Sequence, residues 1–371
     1  MRDVLSDLHS HWREDRATAL ATVVSTFRSA PRLPGAAMLV GADGTVVGSV
    51  SGGCVEGAVY ELAGQVLSDG RPVLQRYGVS DDEAFAVGLT CGGVLDVFVE
   101  RVDAGCFPEL ADLADSVGNE RPVALATVVE HPQSTVVGRH LVVWPERRTG
   151  GLGSERIDDA VSDDVRGMLA TGRSGLLHYG PDGERRGVGM SVFVHSFEPP
   201  PRMVVFGAID FAAAVAKIGA YLGYRVTVCD ARPVFATRDR FPGADEVVVD
   251  WPHRYLAEQT ERGLLDRRTV VTVLTHDPKF DVPLLAVALR LDLAYVGAMG
   301  SRRTHEDRMA RLREAGLGDA ELDRLASPIG LDLGARTPEE TAVSIAAEII
   351  ALRWGGRGER LVDVKGPIHH V

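Results

Sequence analysis

The chain is short of cysteine. It has four in 371 residues, Cys54, Cys91, Cys106 and Cys229, and no C-x-x-C pair. Four scattered thiols cannot ligate iron–sulfur clusters, and they lack the spacing of a four-thiolate zinc site. Nor do they form a disulfide framework for a chain this long, so a reducing, cytoplasmic setting is expected. No stretch approaches 18 consecutive apolar residues, so no membrane span is predicted. The opening MRDVLSDLHSHWRED lacks the apolar core of a signal peptide. An excess of positive charge is missing too. Lys and Arg total 40 against 52 acidic residues, a net charge of -12, which argues against a nucleic-acid partner. With 45% hydrophobic and 25% charged residues, the chain is an ordinary globular sequence long enough for two or three domains.

What is present first is a repeat. ALATVV occurs at 19–24 and again at 124–129. PGAAMLV faces VGRHLVV, and GSVSGGCVEGAV faces GLGSERIDDAV. VLSDGRPVLQRYG faces MLATGRSGLLHYG, and GVLDVFVERV faces GVGMSVFVHSF. Five blocks in the same order predict two copies of one α+β unit, about 1–104 and 105–198. Each would run strand, strand, helix, strand, strand.

The copies diverge where chemistry is expected. Cys54 aligns with Arg156, Glu56 with Asp158, and Cys91 with about Arg186. The repeat unit therefore needs neither thiol to fold. A lone cysteine is commonly a small buried hydrophobe; the glycines around these two point the other way. Gly52 and Gly53 can adopt positive φ and admit a ligand to the backbone. The run VEGAVYELAGQVL reads as a helix starting just after them. Cys54 would then lie at a helix N-terminus, where free N–H groups and the dipole favour a thiolate and bind anions. Glu56 would position a proton or cap the helix. TCGG, with Cys91, Gly92 and Gly93, is a second glycine turn before the strand VLDVFVE.

Three prolines at 199–201 form a stiff linker. Residues 202–355 then read as a Rossmann-like, doubly wound parallel sheet, followed by a polar tail at 356–371. The expected fold class is thus α/β, with an N-terminal α+β domain of two copies ahead of the Rossmann half. The opening RMVVFGAIDFAAAVAKIGAYLGYRVTVCD is a βαβ unit, and Asp230 lies 23 residues after Gly207, where a ribose-binding acid belongs. The glycine fingerprint is incomplete. Ile209 replaces the second glycine, and Asp210 brings a negative charge to the helix start, where it could serve as N-cap. NAD(P) binding and a scaffold without a dinucleotide both remain open. Two further strands are expected to end at His276-Asp277 and at Ser301. Gly300, Ser301, Arg302 and Arg303 form either an anion pocket or a solvated helix cap. Thr337, Pro338 and Glu340 spell a capped helix start.

Taken together, GSVSGGCVEGAV, TCGG, VFGAIDFAAAVAKIGAYLGYRVTVCDARPVFAT, THDPKFD, YVGAMGSRR and PIGLDLGARTPEETAVSIAAEII resemble the XdhC/CoxI family, from about residue 14 to 352. The resemblance implies an accessory protein that binds molybdenum cofactor (molybdopterin, including dinucleotide forms). It would support sulfuration of the cofactor with a cysteine desulfurase and hand it to an apo molybdenum hydroxylase of xanthine dehydrogenase or CO dehydrogenase type. It also implies a homodimer. The family's cysteine motif falls on Cys54 with Gly52, Gly53 and Glu56, and its CGG motif on Cys91, Gly92 and Gly93. Cys54 would contact molybdenum or the sulfur being installed, with Cys91 near it and Arg302 and Arg303 meeting phosphate. Many relatives carry G-A-G-H at the Rossmann turn, whereas this chain has Gly207-Ala208-Ile209-Asp210. Members are sometimes labelled xanthine dehydrogenase; the scattered cysteines argue against an oxidising role here. An NAD(P)-dependent oxidoreductase and a non-catalytic component of a hydroxylase complex are the alternatives.

Overall fold

A computed structural model describes residues 1–27, 32–78 and 93–365. They form two compact units, Met1–Pro199 and Pro200–Lys365.

The first unit contains the repeat. A short helix, α1 (Leu5–Arg13), precedes β1 (Thr18–Phe27), β2 (Ala37–Gly41) and β3 (Val46–Gly48). Then come α2 (Glu56–Asp69), β4 (Val73–Tyr77) and β5 (Val94–Val102). The second copy repeats this order: α3 (Leu110–Gly118), β6 (Val123–Glu130), β7 (His140–Val143), β8 (Arg148–Gly150), α4 (Glu155–Ala170), β9 (Gly175–Tyr179) and β10 (Met190–Phe197). Each copy is one antiparallel sheet, β3-β2-β1-β5-β4 and β8-β7-β6-β10-β9, the same permutation twice. The expected element order is corrected by a leading helix and a third strand. β3 and β8 have three residues each and lie at a sheet edge, too short for alternation to reveal them.

Alternation explains why ALATVV is continuously apolar. Along β1, Ala19, Ala21 and Val23 face α2, while Leu20 packs with α1, α3 and residues of the second sheet. β6 does the same with Ala124, Ala126 and Val128 toward α4, and Leu125 toward the shared core. Both faces of each central strand are buried, so no polar residue interrupts the run.

The second unit is a six-stranded, all-parallel sheet in the order β13-β12-β11-β14-β15-β16. Its elements are β11 (Arg202–Phe206), α5 (Asp210–Tyr221), β12 (Arg225–Asp230), β13 (Glu246–Val249), α6 (Pro252–Glu261), β14 (Val270–Val273) and α7 (Pro278–Ala288). β15 (Tyr295–Ala298), α8 (Arg302–Glu314), α9 (Asp319–Leu322), β16 (Leu325–Ala326) and α10 (Pro338–Trp354) complete it. α5 and α10 cover one face, and α6, α7, α8 and α9 the other. This is the expected doubly wound architecture, and its strand order reverses between β11 and β14. Two strands stop earlier than expected, at Val273 and Ala298, leaving His276 and Ser301 in the loops beyond. α10 starts as the sequence predicts. Thr337 and Glu340 form a reciprocal capping box behind Pro338.

Candidate functional site

The loop that carries Cys54 runs from the end of β3 to the first turn of α2, and Glu56 organises it. Glu56 opens α2 and turns its carboxylate back into the loop. Oε1 accepts the Ser49 hydroxyl at 2.6 Å and the N–H groups of Val50 (3.2 Å), Ser51 (2.8 Å) and Gly52 (3.0 Å). Oε2 accepts the Ser51 hydroxyl and the N–H groups of Gly53 (2.8 Å) and Val55 (3.2 Å). Ser51 Oγ in turn accepts the N–H of Cys54 at 2.9 Å and of Val55 at 3.0 Å. Partial burial pushes the Glu56 carboxyl up, but the hydrogen bonds from Ser49, Ser51 and the backbone outweigh it and hold it at about 2.

Two expectations change. Glu56 carries no proton near neutrality, and it is the first helical residue rather than the cap: Val55 is the N-cap, and the carboxylate binds the loop ahead of the helix. The N–H groups of the loop ahead of α2, from Val50 to Val55, are taken by Glu56 and Ser51 and are not open to an anion. The peptide bonds here are trans, the one cis bond among the described residues being Ser327-Pro328. In a trans peptide the carbonyl points opposite to the N–H. Because the N–H groups of Gly52, Gly53 and Cys54 point inward, the carbonyls of Ser51, Gly52 and Gly53 point away from the carboxylate. A Cβ on Gly52 or Gly53 would meet no atom within 4 Å. The half-buried Cys54 side chain packs against the apolar cluster under α2, and the outward carbonyls that precede it in the chain form an open rim of acceptors. Such a rim suits a soft metal or sulfur at the thiol and hydrogen-bond donors around it.

The second copy shows what was changed to make this loop. With Gly48 matched to Gly150 and Glu56 to Asp158, α4 begins at Glu155, the counterpart of Gly53. Ser154 caps it through the N–H of Ile157. α2 thus starts three residues later than its sister. Gly52 at φ 77° and Gly53 at φ 116° cannot belong to a right-handed helix, and they unwind that turn. Asp158 reaches back to one loop N–H, that of Leu152 at 2.7 Å, where Glu56 laces five.

Cys91 and Gly92 lie outside the described residues. Gly93 is buried immediately before β5, against Gly78 at the end of β4. Antiparallel pairing puts the start of β5 at the same end of the sheet as the end of β3. The second glycine motif thus enters the sheet at the end that carries the Cys54 loop. Cys229 is different: it is buried, its thiol pushed up by desolvation, with Sγ 3.6 Å from the carbonyl of Asp250.

In the Rossmann unit the turn after β11 is bound up with the protein's own groups. Gly207 has φ 109°, and a Cβ there would lie 2.9 Å from Thr275 Cγ2, so close packing on the loop after β14 requires glycine. The N–H of Ala208 donates to Asp230 Oδ2 at 2.7 Å, and Arg240 donates to the Ala208 carbonyl at 3.2 Å. Arg232 grips both Asp230 oxygens at 2.9 and 2.8 Å. Burial raises the Asp230 carboxyl, but Arg232 and the N–H of Ala208 more than offset it and keep it below the ordinary range. Asp230 is thus committed to Arg232 and the turn, not presented to a ribose. The N-cap of α5 is Ile209 rather than Asp210, which lies in the first turn 3.4 Å from Arg240. We expect no saturable binding of NAD+, NADH or NADP+ at millimolar concentration by titration calorimetry. A sub-millimolar, saturable isotherm would overturn this reading of the turn.

The loops after β14 and β15, neighbours in the sheet, bring His276, Gly300, Ser301, Arg302 and Arg303 to its carboxyl edge. Ser301 caps α8 through the N–H of Thr304, and Arg302 and Arg303 are exposed with no ion-pair partner among the described residues. Beneath them runs a network that sequence reasoning missed. Arg308 donates to Asp281 Oδ2 at 3.1 Å, to the Met299 carbonyl at 2.8 Å and to Ser327 at 2.9 Å; Thr275 donates to Asp281 Oδ1. One guanidinium therefore ties α7, through Asp281, to the loops after β15 and β16, and Thr275 joins the loop after β14 to the same carboxylate. Among the described residues no cluster of three or more His, Cys, Asp and Glu could hold a metal ion, and no helix is long and apolar enough to cross a membrane.

Comparison with known proteins places this geometry. Residues 203–349 match the XdhC Rossmann domain, and residues 11–78 and 117–180 each match the XdhC and CoxI family. The chain is 30% identical over 347 residues to a probable xanthine dehydrogenase subunit of Bacillus subtilis, covering 92% of this chain and 94% of that protein. The chain belongs to the XdhC and CoxI family. The two family matches in the N-terminal half fall on the two sheets. Within the family, the molybdenum cofactor insertion chaperone PaoD of Escherichia coli is 27% identical over 338 residues, 91% of this chain and 84% of PaoD. A crystal structure described as a xanthine dehydrogenase from Bacillus halodurans shares 26% identity, with a TM-score of 0.69 over 97% of each chain.

Proposed function

We propose that this chain binds molybdenum cofactor as cargo and delivers it to an apo molybdenum hydroxylase of xanthine dehydrogenase or CO dehydrogenase type. Likeness to PaoD and to the Bacillus subtilis protein supports this reading. The observation that carries it is the Cys54 loop: a half-buried cysteine on a glycine turn that is unwound in one repeat and helical in the other. Thiolate sulfur is a soft ligand suited to molybdenum or to a cofactor sulfur. Cys54 holds that end of the cargo, with Cys91 as the second thiol of the site. The outward carbonyls of Ser51, Gly52 and Gly53 favour a ligand edge rich in N–H donors, which a pterin provides. Taken by itself, the Rossmann unit offers the exposed Arg302 and Arg303 at its carboxyl edge to a phosphate, including that of a dinucleotide form. A cysteine desulfurase supplies sulfur for the cofactor while it is held, and the protein acts as a cytoplasmic homodimer. Glu56 builds the loop and does not move protons.

Cys54→Ser tests this directly. Purified protein is mixed with molybdenum cofactor, passed through gel filtration and analysed for molybdenum. Wild type should retain metal, and the variant should lose at least nine-tenths of it with an unchanged circular-dichroism spectrum. Equal retention by both would remove Cys54 from the site; retention by neither would overturn the cargo assignment.

A further inference from the structure

The Rossmann unit carries an apolar face that its own core does not use. α10 buries Ala342, Ile345, Ala346 and Ile349, as a core-facing helix should. Yet Val343, Ile350 and Trp354 are 49%, 44% and 50% exposed. At 3.6 residues per turn, Val343, Ala347, Ile350 and Trp354 fall on a single stripe beside the buried one. α5, packed against α10, repeats the pattern with Ala214, Ile218 and Tyr221, the last 88% exposed. Between the two helices lies an open groove of about 630 Å³, with Ile218, Tyr221 and Val343 on its apolar wall and Asp210, Lys217 and Glu339 as its charged lining. A helix apolar on nearly every side is covered by something.

We infer that this face seats a second copy of the chain, with α5 and α10 crossing the partner's equivalents antiparallel about a two-fold axis. This rests on the homodimer in the proposed function and assigns its surface. The charges choose the occupant. The exposed acid Glu339 stands at the N-terminal end of the stripe, and Arg353 at the C-terminal end. A two-fold axis near Ala346 and Ala347 sets Glu339 against the partner's Arg353 and Val343 against the partner's Ile350. The same axis puts the small Ala347 at the crossing, where helices approach most closely. A parallel pairing would instead set acid against acid. Antiparallel packing also sets opposite helix dipole ends side by side. The surface is large enough: two adjacent helices, the longer about 25 Å, offer a footprint of about 500 Å² per copy, which reaches the ~1,000 Å² total of a specific interface.

Light scattering after gel filtration reads the result. Wild type should elute at twice the chain mass at micromolar concentration, and Ile350→Glu should elute as a folded monomer. Glu339→Arg should weaken association about tenfold, worth roughly 1.4 kcal/mol, and Glu339→Arg with Arg353→Glu should restore it. Ala347→Cys, in a Cys106→Ser background, should cross-link to its own counterpart on oxidation. A wild-type dimer that survives Ile350→Glu would overturn this surface and leave the dimer standing; a wild-type monomer would overturn both. Neither outcome touches cofactor retention, which is measured separately.

Discussion

Arg308→Leu is expected to destabilise the Rossmann unit by about 3–5 kcal/mol, the cost of breaking a buried ion pair by removing one partner. The Arg308 and Asp281 side chains are 3% and 5% exposed. Burial already pushes the Asp281 carboxyl up with Arg308 beside it. Without the guanidinium, Asp281 keeps only Thr275, and the carbonyl of Met299 and the hydroxyl of Ser327 lose their donor. The double variant Arg308→Leu with Asp281→Leu should recover part of the loss, because an apolar pair leaves no uncompensated charge. Urea unfolding of the two single variants and the double variant measures this coupling. A cost below about 1 kcal/mol for Arg308→Leu would show that the network is not what holds the three loops.

Much of the architecture was legible because it rests on patterns that sequence displays. ALATVV and its copy predict two equivalent sheets, since a strand buried on both faces must stay apolar throughout. The βαβ opening and the capping box at Thr337 predict the Rossmann half by the same local logic. What escaped was set by tertiary contact. Arg308 is one of many charged residues in its helix and Asp281 sits at the start of an apolar one, and nothing local marks them as buried partners 27 residues apart. Asp230 has the position of a ribose-binding acid, yet Arg232 two residues on closes over it. At the cysteine loop, sequence located Cys54, Gly52 and Gly53 and the start of the helix at Val55–Glu56. Ser49 and Ser51 went unnoticed: they brace the loop ahead of the helix through Glu56 and the N–H groups of Cys54 and Val55, contacts that no helix-cap pattern marks.

Glu56→Gln should lose both stability and the shape of the cysteine loop. Five N–H groups and two hydroxyls point at a carboxylate; an amide offers one oxygen and turns an NH₂ toward donors. The depression of the carboxyl from 4.5 to about 2 sets a ceiling near 3 kcal/mol. Glu56 is only partly buried, so solvent screening reduces this to about 1–2 kcal/mol. The folded-state value is lowered, so the contribution is fully present above the unfolded-state value of about 4.5. It is lost as pH falls toward 2. The stability gap between wild type and Glu56→Gln should therefore be flat near neutrality and close progressively between pH 4.5 and 2, as read by urea midpoints. A gap independent of pH would mean that packing, not the ionised carboxylate, is what the loop depends on. Cofactor retention should fall with the loop even though Cys54 is intact. That separates the roles: Glu56 sets where the thiol and the outward carbonyls stand, and Cys54 makes the contact.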